Sequence, residues 1–235
     1  MVSFPTFYAP ELSSGLEKLD PDESRHCIRV LRKNTGDRIR IIDGKGLEAE
    51  YEIIEADSRS CGIRKVEEIR HKPNFPSIHI AIAPTKQMER MEWFLEKATE
   101  IGVSKISFLE TSNSERRKMN MDRLLKKSIT ALKQSGNLFL PDIYVPRPLI
   151  DFLDEAHSDQ KFIAHLENEN TEHLMDCMEI NQSVIVLIGP EGDFSPEEIQ
   201  KSKASGFRSV SLGQSRLRTE TAGLAACHVA VLKNR

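Results

Sequence analysis

Apolar strands and helices alternate over the last two-thirds of the chain, and this pattern restricts the possible folds more than any other sequence feature. Five segments have the composition of buried strands: 78–83, 105–109, 162–166, 184–188 and 208–212. Four segments have helical spacing or a helix start: 87–101, 120–134, a helix from Pro196, and 220–233. Such alternation predicts an α/β fold with a mostly parallel sheet that helices cover on both faces.

The first 70 residues have the pattern of short strands instead. Apolar residues alternate over 38–42, and the turn Asp43-Gly-Lys-Gly46 leads to further strands over 50–54 and 61–66. A short helix is predicted over 24–32, with Ile28 and Leu31 directed inward. Several short strands and one helix favour a small β-barrel.

Two prolines in His71-Lys-Pro-Asn-Phe-Pro76 separate these regions. We therefore expect two domains, one of residues 1–72 and one of residues 73–235.

With a net charge of -3, the protein as a whole does not attract nucleic acid. Any RNA affinity must therefore come from local clusters of Lys and Arg. The four cysteines have no zinc-ligand spacing, and no metal is expected. Neither a signal peptide nor an apolar run of the roughly 20 residues that span a bilayer is visible. The sequence predicts a cytoplasmic protein without membrane association.

Two loops follow predicted strands, at the edge of a parallel sheet where ligands bind. The first is Gly189-Pro-Glu-Gly-Asp-Phe194, whose two glycines let the backbone approach a ligand closely. A plain strand-to-helix turn fits this loop equally well, because Ser195-Pro-Glu-Glu198 is a capping box that starts a helix. Neither a dinucleotide nor a nucleoside triphosphate motif accompanies it.

The second loop is Leu212-Gly-Gln-Ser-Arg-Leu-Arg-Thr-Glu-Thr-Ala222. It places Arg216 and Arg218 at the predicted sheet edge and Glu220 at the start of the last helix. A solvated loop with an acid at a helix N-terminus is the alternative interpretation.

Together these motifs resemble the 16S ribosomal RNA uracil-N3 methyltransferases of the SPOUT superfamily. The resemblance is carried by the order and spacing of several segments along nearly the whole chain: His26 with Arg29-Val-Leu-Arg32, Met91-Glu-Trp93, Lys97-Ala-Thr-Glu100, Ser114-Glu-Arg-Arg117, Ile188-Gly-Pro-Glu-Gly192 and Leu217-Arg-Thr-Glu-Thr-Ala222. Two departures stand out. Gln134-Ser-Gly-Asn137 lacks the arginine that usually follows, and Asp193 stands where a second glycine is common.

The resemblance implies a fold, a methyl donor and partners. The fold is α/β, with a small N-terminal PUA-like β-barrel and a SPOUT-type domain that ends in a C-terminal trefoil knot. The methyl donor is S-adenosylmethionine. The partners are 16S ribosomal RNA, within the small ribosomal subunit, and a second copy of the chain, in a homodimer whose site takes residues from both subunits.

It also implies which residues hold the donor, mostly through backbone groups: Leu166, Gly189, Pro190, Glu191, Gly192, Ser211, Leu212, Gly213, Leu217 and Thr221. Uracil N3–H is a weak acid, so methylation requires loss of its proton and stabilisation of the charge that spreads onto O2 and O4. Arg218 is the expected stabiliser, because a guanidinium is always charged and offers forked donors. Glu220 or Glu191 is expected to accept the proton, directly or through water.

RNA contacts are expected from basic residues in three places: Arg25, Arg29, Arg32 and Lys33, then Arg116 and Arg117, and Arg216. A charge cluster is more often a solvated face, and only the neighbouring site favours the RNA interpretation.

Other functions remain open. The same fold also suits methylation of a transfer RNA or a ribose hydroxyl, and a PUA-like protein without catalysis would serve RNA binding or ribosome assembly. The intact Gly189-Pro-Glu-Gly192 and Leu217-Arg-Thr-Glu220 favour an enzyme.

Overall fold

The structure is a computed structural model that describes residues 4–73, 76–114, 118–165 and 171–234. Two compact units divide the chain. The first comprises Met1–Pro73 together with Leu132–Leu140, and the second comprises Asn74–Ala131 and Pro141–Arg235. The first unit thus includes a segment from the middle of the chain, which no sequence pattern indicated.

The first unit contains a four-stranded sheet. Its strands are β1 (Thr6–Tyr8), β2 (Arg38–Ile42), β3 (Leu47–Glu55) and β4 (Gly62–Arg70), in that spatial order. β1 pairs with β2 in parallel, and the other pairs are antiparallel. The strands predicted over 38–42, 50–54 and 61–66 are confirmed, although β3 and β4 extend further than predicted.

The helix of this unit differs from the prediction. Helix α1 (Pro21–Arg25) is capped by the Asp20 carboxylate and continues into a π-helical turn, His26–Val30. Ile28 packs against the core as expected, but Leu31 is 38% exposed, so its predicted inward direction is wrong. The reason is that a π turn adds a residue, which shifts the later side chains out of helical phase.

The mid-chain segment is bound to the glycine-rich turn of the first unit. Leu140 N donates to the Gly44 carbonyl over 2.8 Å, and Gly46 N donates to the Leu138 carbonyl over 3.0 Å. A Cβ on Gly46, whose φ is 92°, would lie 2.7 Å from the His71 carbonyl oxygen. The predicted turn at 43–46 is therefore confirmed, and its second glycine is required by close backbone approach.

The second unit contains a six-stranded parallel sheet. Its strands are β5 (Ile78–Ile82), β6 (Lys105–Glu110), β7 (Asp142–Pro148), β8 (Gln160–Ala164), β9 (Val184–Ile188) and β10 (Arg208–Val210). Their spatial order is β10-β8-β9-β5-β6-β7, and every pairing is parallel. Only β7 was not predicted. Pro146 and Pro148 interrupt its sequence pattern, and such prolines are tolerated because β7 lies at the edge of the sheet.

Helices cover both faces of this sheet, as predicted. They are α2 (Met88–Ile101), α3 (Met121–Ser135), α4 (Leu149–Glu155), α5 (Leu174–Cys177), α6 (Pro196–Ala204) and α7 (Thr219–Lys233). The short helices α4 and α5 were not predicted. In β9, Val186 belongs to the core on one face and Leu187 to the core on the other. Burial on both faces explains why this strand is apolar throughout.

Local signals for helix ends are confirmed. Gly102 ends α2 in the left-handed conformation with a φ of 100°. Ser195 and Glu198 form the reciprocal capping box at the start of α6. Within the described residues, no helix combines the length and apolarity that crossing a bilayer requires.

Candidate active site

A cavity of about 650 Å³ opens at the carboxyl ends of β8, β9 and β10. Since parallel strands end at the same edge, the loops that follow them meet there. The volume is within the range of small-molecule sites, about 300 to 1,000 Å³. The cavity is lined by Arg90, Ala164, His165, Ile188, Gly189, Pro190, Glu191, Asp193, Val210, Leu212, Gly213, Ser215, Arg216, Leu217, Arg218, Thr219 and Ala222.

Hydrogen bonds from other elements hold the loop after β9. The Thr219 hydroxyl, at the start of α7, donates to the Gly189 carbonyl over 3.0 Å. The Asn113 amide donates to the carbonyls of Gly192 and Asp193 over 3.2 and 3.0 Å. The main chain of this cavity wall is therefore fixed by contacts on both sides.

The glycines of the two loops have different surroundings. A Cβ on Gly189 would lie 3.1 Å from the Phe194 ring, and one on Gly192 would lie 3.2 Å from Asn113 Cβ. Gly213 has a φ of 131°, and an added Cβ would meet nothing within 4 Å. Gly189 and Gly192 thus leave room for neighbouring side chains of the protein, whereas Gly213 borders open space in the cavity wall.

One arginine joins two glutamates from distant parts of the chain. Arg90 Nη1 lies 2.8 Å from Glu191 Oε1, and Arg90 Nε lies 3.7 Å from Glu220 Oε1. The Glu191 side chain is 54% exposed. Glu220 is buried, and its Oε2 has no hydrogen-bond partner among the residues that the structure describes. Glu220 therefore lies on the interior side of Arg90, and Glu191 lies on its solvent side.

Two further arginines line the cavity. Arg218 is the exposed N-cap residue of α7, and its guanidinium forms no ion pair or hydrogen bond with any described residue. Arg216 Nη2 donates to the Glu191 carbonyl over 3.1 Å. Arg218 is thus the cavity arginine for which none of the guanidinium donors has a described partner.

A histidine–aspartate pair lies at the same cavity. His165 Nδ1 is 3.0 Å from Asp193 Oδ2. Asp193 has a φ of 61°, in the left-handed region that a glycine adopts without strain. Asp193 therefore adopts a turn conformation that is more usual for glycine.

The structure brings most of the predicted catalytic and donor-binding residues together, and one of the predicted RNA contacts with them. Those that line the cavity are Gly189, Pro190, Glu191, Leu212, Gly213, Leu217, Arg218 and Arg216. Gly192, Ser211, Glu220 and Thr221 lie outside the lining. Leu166 lies outside the described residues, as do Arg116 and Arg117.

The proposed RNA contacts of the first unit are at its surface. Arg25, Arg29 and Arg32 are exposed, and Lys33 is half-buried, 4.0 Å from Asp37. Arg25 lies 3.6 Å from Asp22, and Arg29 donates to the Ser58 hydroxyl over 3.3 Å. These are weak partners at exposed positions, so the cations remain accessible.

Sequence reasoning missed Arg90 and His165. Arg90 lies on a helix with many charged residues, where nothing distinguishes it from a solvated position. His165 directly follows β8, and its place at the carboxyl end of a strand was the one signal that pointed to it. Within the described ranges, no cluster of three potential metal ligands occurs.

Comparison with known proteins identifies the family. The profile of the RNA methyltransferase domain matches residues 72–231, and that of the RNA methyltransferase PUA domain matches residues 19–66. The chain therefore belongs to the RNA methyltransferase family.

Relatives agree with this assignment over nearly the full length. A probable rRNA-methyltransferase from Porphyromonas gingivalis is 43% identical with a TM-score of 0.90, and the match covers 95% of each chain. The ribosomal RNA small subunit methyltransferase E of Neisseria gonorrhoeae, bound to S-adenosyl methionine, is 28% identical with a TM-score of 0.85, over 96% of this chain and 95% of that one. The enzyme of the same name from Aquifex aeolicus is 30% identical, over 97% of this chain and 98% of its own.

Proposed function

We propose that this protein transfers a methyl group from S-adenosylmethionine to N3 of a specific uracil in 16S ribosomal RNA of the small subunit. One observation carries the proposal. The guanidinium of Arg218, which has no partner among the described residues, and the exposed carboxylate of Glu191 line one cavity at the carboxyl edge of the sheet. The names of the relatives, ribosomal RNA small subunit methyltransferases, support methyl transfer to RNA of the small subunit.

The cavity fits the methyl donor in size and chemistry. Leu212 and Leu217, both half-buried, offer apolar surface for an adenine ring, and Gly213 borders open space. Gly189 and Gly213, which also line the cavity, contribute backbone groups, and such groups recognise polar edges without adding charge.

Different residues of the chain then serve the separate steps of the reaction. S-adenosylmethionine supplies an electrophilic methyl carbon, which uracil N3 takes while the electron pair of the broken S–C bond stays on sulfur. Arg218 stabilises the negative charge that spreads over O2 and O4 once the N3 proton has left, because its donors have no other described partner. Glu191 or Glu220 accepts that proton.

The first 72 residues form the RNA-binding part in this proposal, as a PUA-like barrel, and residues 73–235 form the catalytic domain. Arg25, Arg29, Arg32 and Lys33 contact RNA phosphates from the first part, and Arg116 and Arg117 from the second. Arg216 belongs to the same set and lines the cavity. A surface of this kind supplies sequence-independent affinity, while the cavity selects the base.

The assembly and the chain path complete the proposal. The protein acts as a homodimer with residues of both subunits at each site, and its C-terminal segment forms a trefoil knot. Small residues of α7, such as Ala226, support close packing in that region. The expected compartment is the cytoplasm, where ribosomal subunits are available as substrate.

A methylation assay tests this function. Small ribosomal subunits from a strain that lacks the protein are incubated with the purified protein and radiolabelled S-adenosylmethionine. Reverse transcription then maps the product, because a methyl group at N3 blocks the base-pairing edge of the uracil and stops the reverse transcriptase at that position. Label without such a stop at a uracil would contradict N3 methylation and favour a ribose hydroxyl. Absence of label on the subunits and on naked 16S RNA would contradict the function.

A further inference from the structure

We propose that Arg90 is a positioning residue of this site, anchored by the buried Glu220, and that it directs Glu191 to take the N3 proton. The inference rests on the proposed function and decides between the two glutamates that it leaves open.

Arg90 is the link between the two carboxylates. Its Nη1 donates to Glu191 Oε1 over 2.8 Å, and its Nε lies 3.7 Å from Glu220 Oε1. The three residues come from α2, from the loop after β9 and from the start of α7. A guanidinium suits this role, because its donors lie in one plane and point in fixed directions, and its charge does not titrate.

Burial distinguishes the two glutamates. The Glu220 side chain is 9% exposed and absent from the cavity lining, whereas the Glu191 side chain is 54% exposed and lines the cavity. Glu220 also lies in the first turn of α7, where the helix N-terminus stabilises a carboxylate. Glu220 is therefore placed to hold Arg90, and Glu191 is placed to meet a base.

The main chain and the side chain of Glu191 are held separately. Arg216 donates to the Glu191 carbonyl, and Asn113 holds the carbonyls of the next two residues. Those contacts fix the backbone but leave the glutamate side chain free to rotate. Arg90 supplies the contact that holds the Glu191 side chain in one rotamer. Without this contact, ordering the side chain for the reaction would cost conformational entropy.

This arrangement leaves one oxygen for chemistry. Arg90 occupies Oε1 of Glu191, so Oε2 is the oxygen that is left to accept a proton. The N3 proton passes to Glu191 Oε2, and the electron pair left on N3 forms the bond to the methyl carbon while the bond from that carbon to sulfur breaks, its electron pair staying on sulfur. The glutamic acid returns its proton to water after the product has left.

The test compares Arg90→Ala and Arg90→Lys with Arg147→Ala. Arg147 is a matched control, since it forms an ion pair of 2.7 Å with Glu155 and lies outside the cavity lining. Single-turnover methylation of small subunits is measured beside S-adenosylmethionine affinity by calorimetry. Arg90→Ala should lower the rate about a hundredfold, the order of loss for a misplaced catalytic group, with donor affinity unchanged. Arg90→Lys should lie between Arg90→Ala and the unsubstituted protein, because it keeps the charge without the fork.

Two readouts separate positioning from a general structural role. Guanidinium ions at low concentration should restore part of the Arg90→Ala rate and none of the Glu191→Gln rate. The double variant Arg90→Ala/Glu191→Gln should be no slower than Glu191→Gln alone, because both changes act through the same carboxylate.

Several outcomes would overturn the inference. These are an undiminished rate in Arg90→Ala, an equal loss in Arg147→Ala, a loss of donor affinity that accounts for the rate, or additive losses in the double variant. A full rate in Glu191→Gln together with a large loss in His165→Gln would assign the proton to the His165–Asp193 pair instead. If the unsubstituted protein binds no donor and methylates neither subunits nor naked RNA, the proposed function itself fails.

Discussion

Gly223 of α7 lies directly against the ring of Phe94 on α2. A Cβ on Gly223 would come within 2.7 Å of Phe94 Cε2 and 2.9 Å of Ile82 Cδ1. Both distances are shorter than real Cβ contacts, so either a neighbour or the helix would have to shift. The absence of a side chain at Gly223 therefore sets how closely α7 packs on α2 and on the sheet, next to the cavity that the start of α7 lines.

Gly223→Ala should destabilise the protein. Overpacking a core costs about 1–3 kcal/mol, and the better helix propensity of alanine returns at most about 1 kcal/mol. The free energy of unfolding in urea should fall by about 1 kcal/mol. His228→Ala, at an exposed position of the same helix, is the control and should change it by less than about 0.5 kcal/mol. A more stable Gly223→Ala protein would show that the packing here is looser than described.

Arg218→Ala should reduce turnover far more than donor affinity. Its proposed role is to stabilise charge that develops only during the reaction, and loss of one such donor lowers the rate about a hundredfold to a thousandfold. Methyl transfer under single-turnover conditions and calorimetry of S-adenosylmethionine binding measure the two effects. Equal losses in rate and donor affinity would instead place Arg218 in donor binding.

Arg29→Ala and Arg32→Ala should weaken RNA binding and leave donor affinity unchanged. Each phosphate contact removed should reduce the slope of log affinity against log salt by about one unit. Filter binding of a 16S RNA fragment at several salt concentrations measures the slope. A slope equal to that of the unsubstituted protein would mean that these two arginines form a solvated face.

The protein should lose stability on acidification through His79. Burial, aided by the charges of Lys105 and Arg147, lowers the pKa of His79 from 6.5 to about 4 in the folded state. Between these two values the unfolded chain binds more protons, so stability is fully present above about pH 6.5 and falls towards pH 4. The loss amounts to about 3 kcal/mol, at 1.36 kcal/mol for each pH unit.

Urea unfolding as a function of pH measures this contribution. His79→Gln should flatten the profile between pH 6.5 and 4, whereas His157→Gln, at an exposed position, should leave it unchanged. Identical profiles for His79→Gln and the unsubstituted protein would remove His79 as the cause.

The protein should be a homodimer in solution. Light scattering at micromolar concentration should give about twice the mass of one chain, 26.7 kDa. A monomer that still methylates RNA would contradict a site shared between subunits.

Sequence alone determined the elements that depend on local chemistry. The apolar run Val184–Ile188, the capping box of Ser195 and Glu198 and the stop at Gly102 all appear in the structure where the sequence predicts them. Each depends on residues within a few positions of one another, whose periodicity or capping groups are visible in the sequence. The prolines of β7 obscured that strand, and the π turn reversed the predicted burial of Leu31.

Only the tertiary structure decided how the candidate site is arranged. Arg90, Glu191 and Glu220 are separated by up to 130 positions along the chain, yet one guanidinium contacts both carboxylates. Sequence supplied both glutamates as equal candidates for the base, because both residues have the same chemistry and each lies in a loop or at a helix start. Their difference is burial, which arises when α2 and α7 pack on the same face of the sheet and enclose one carboxylate while the other stays at the cavity.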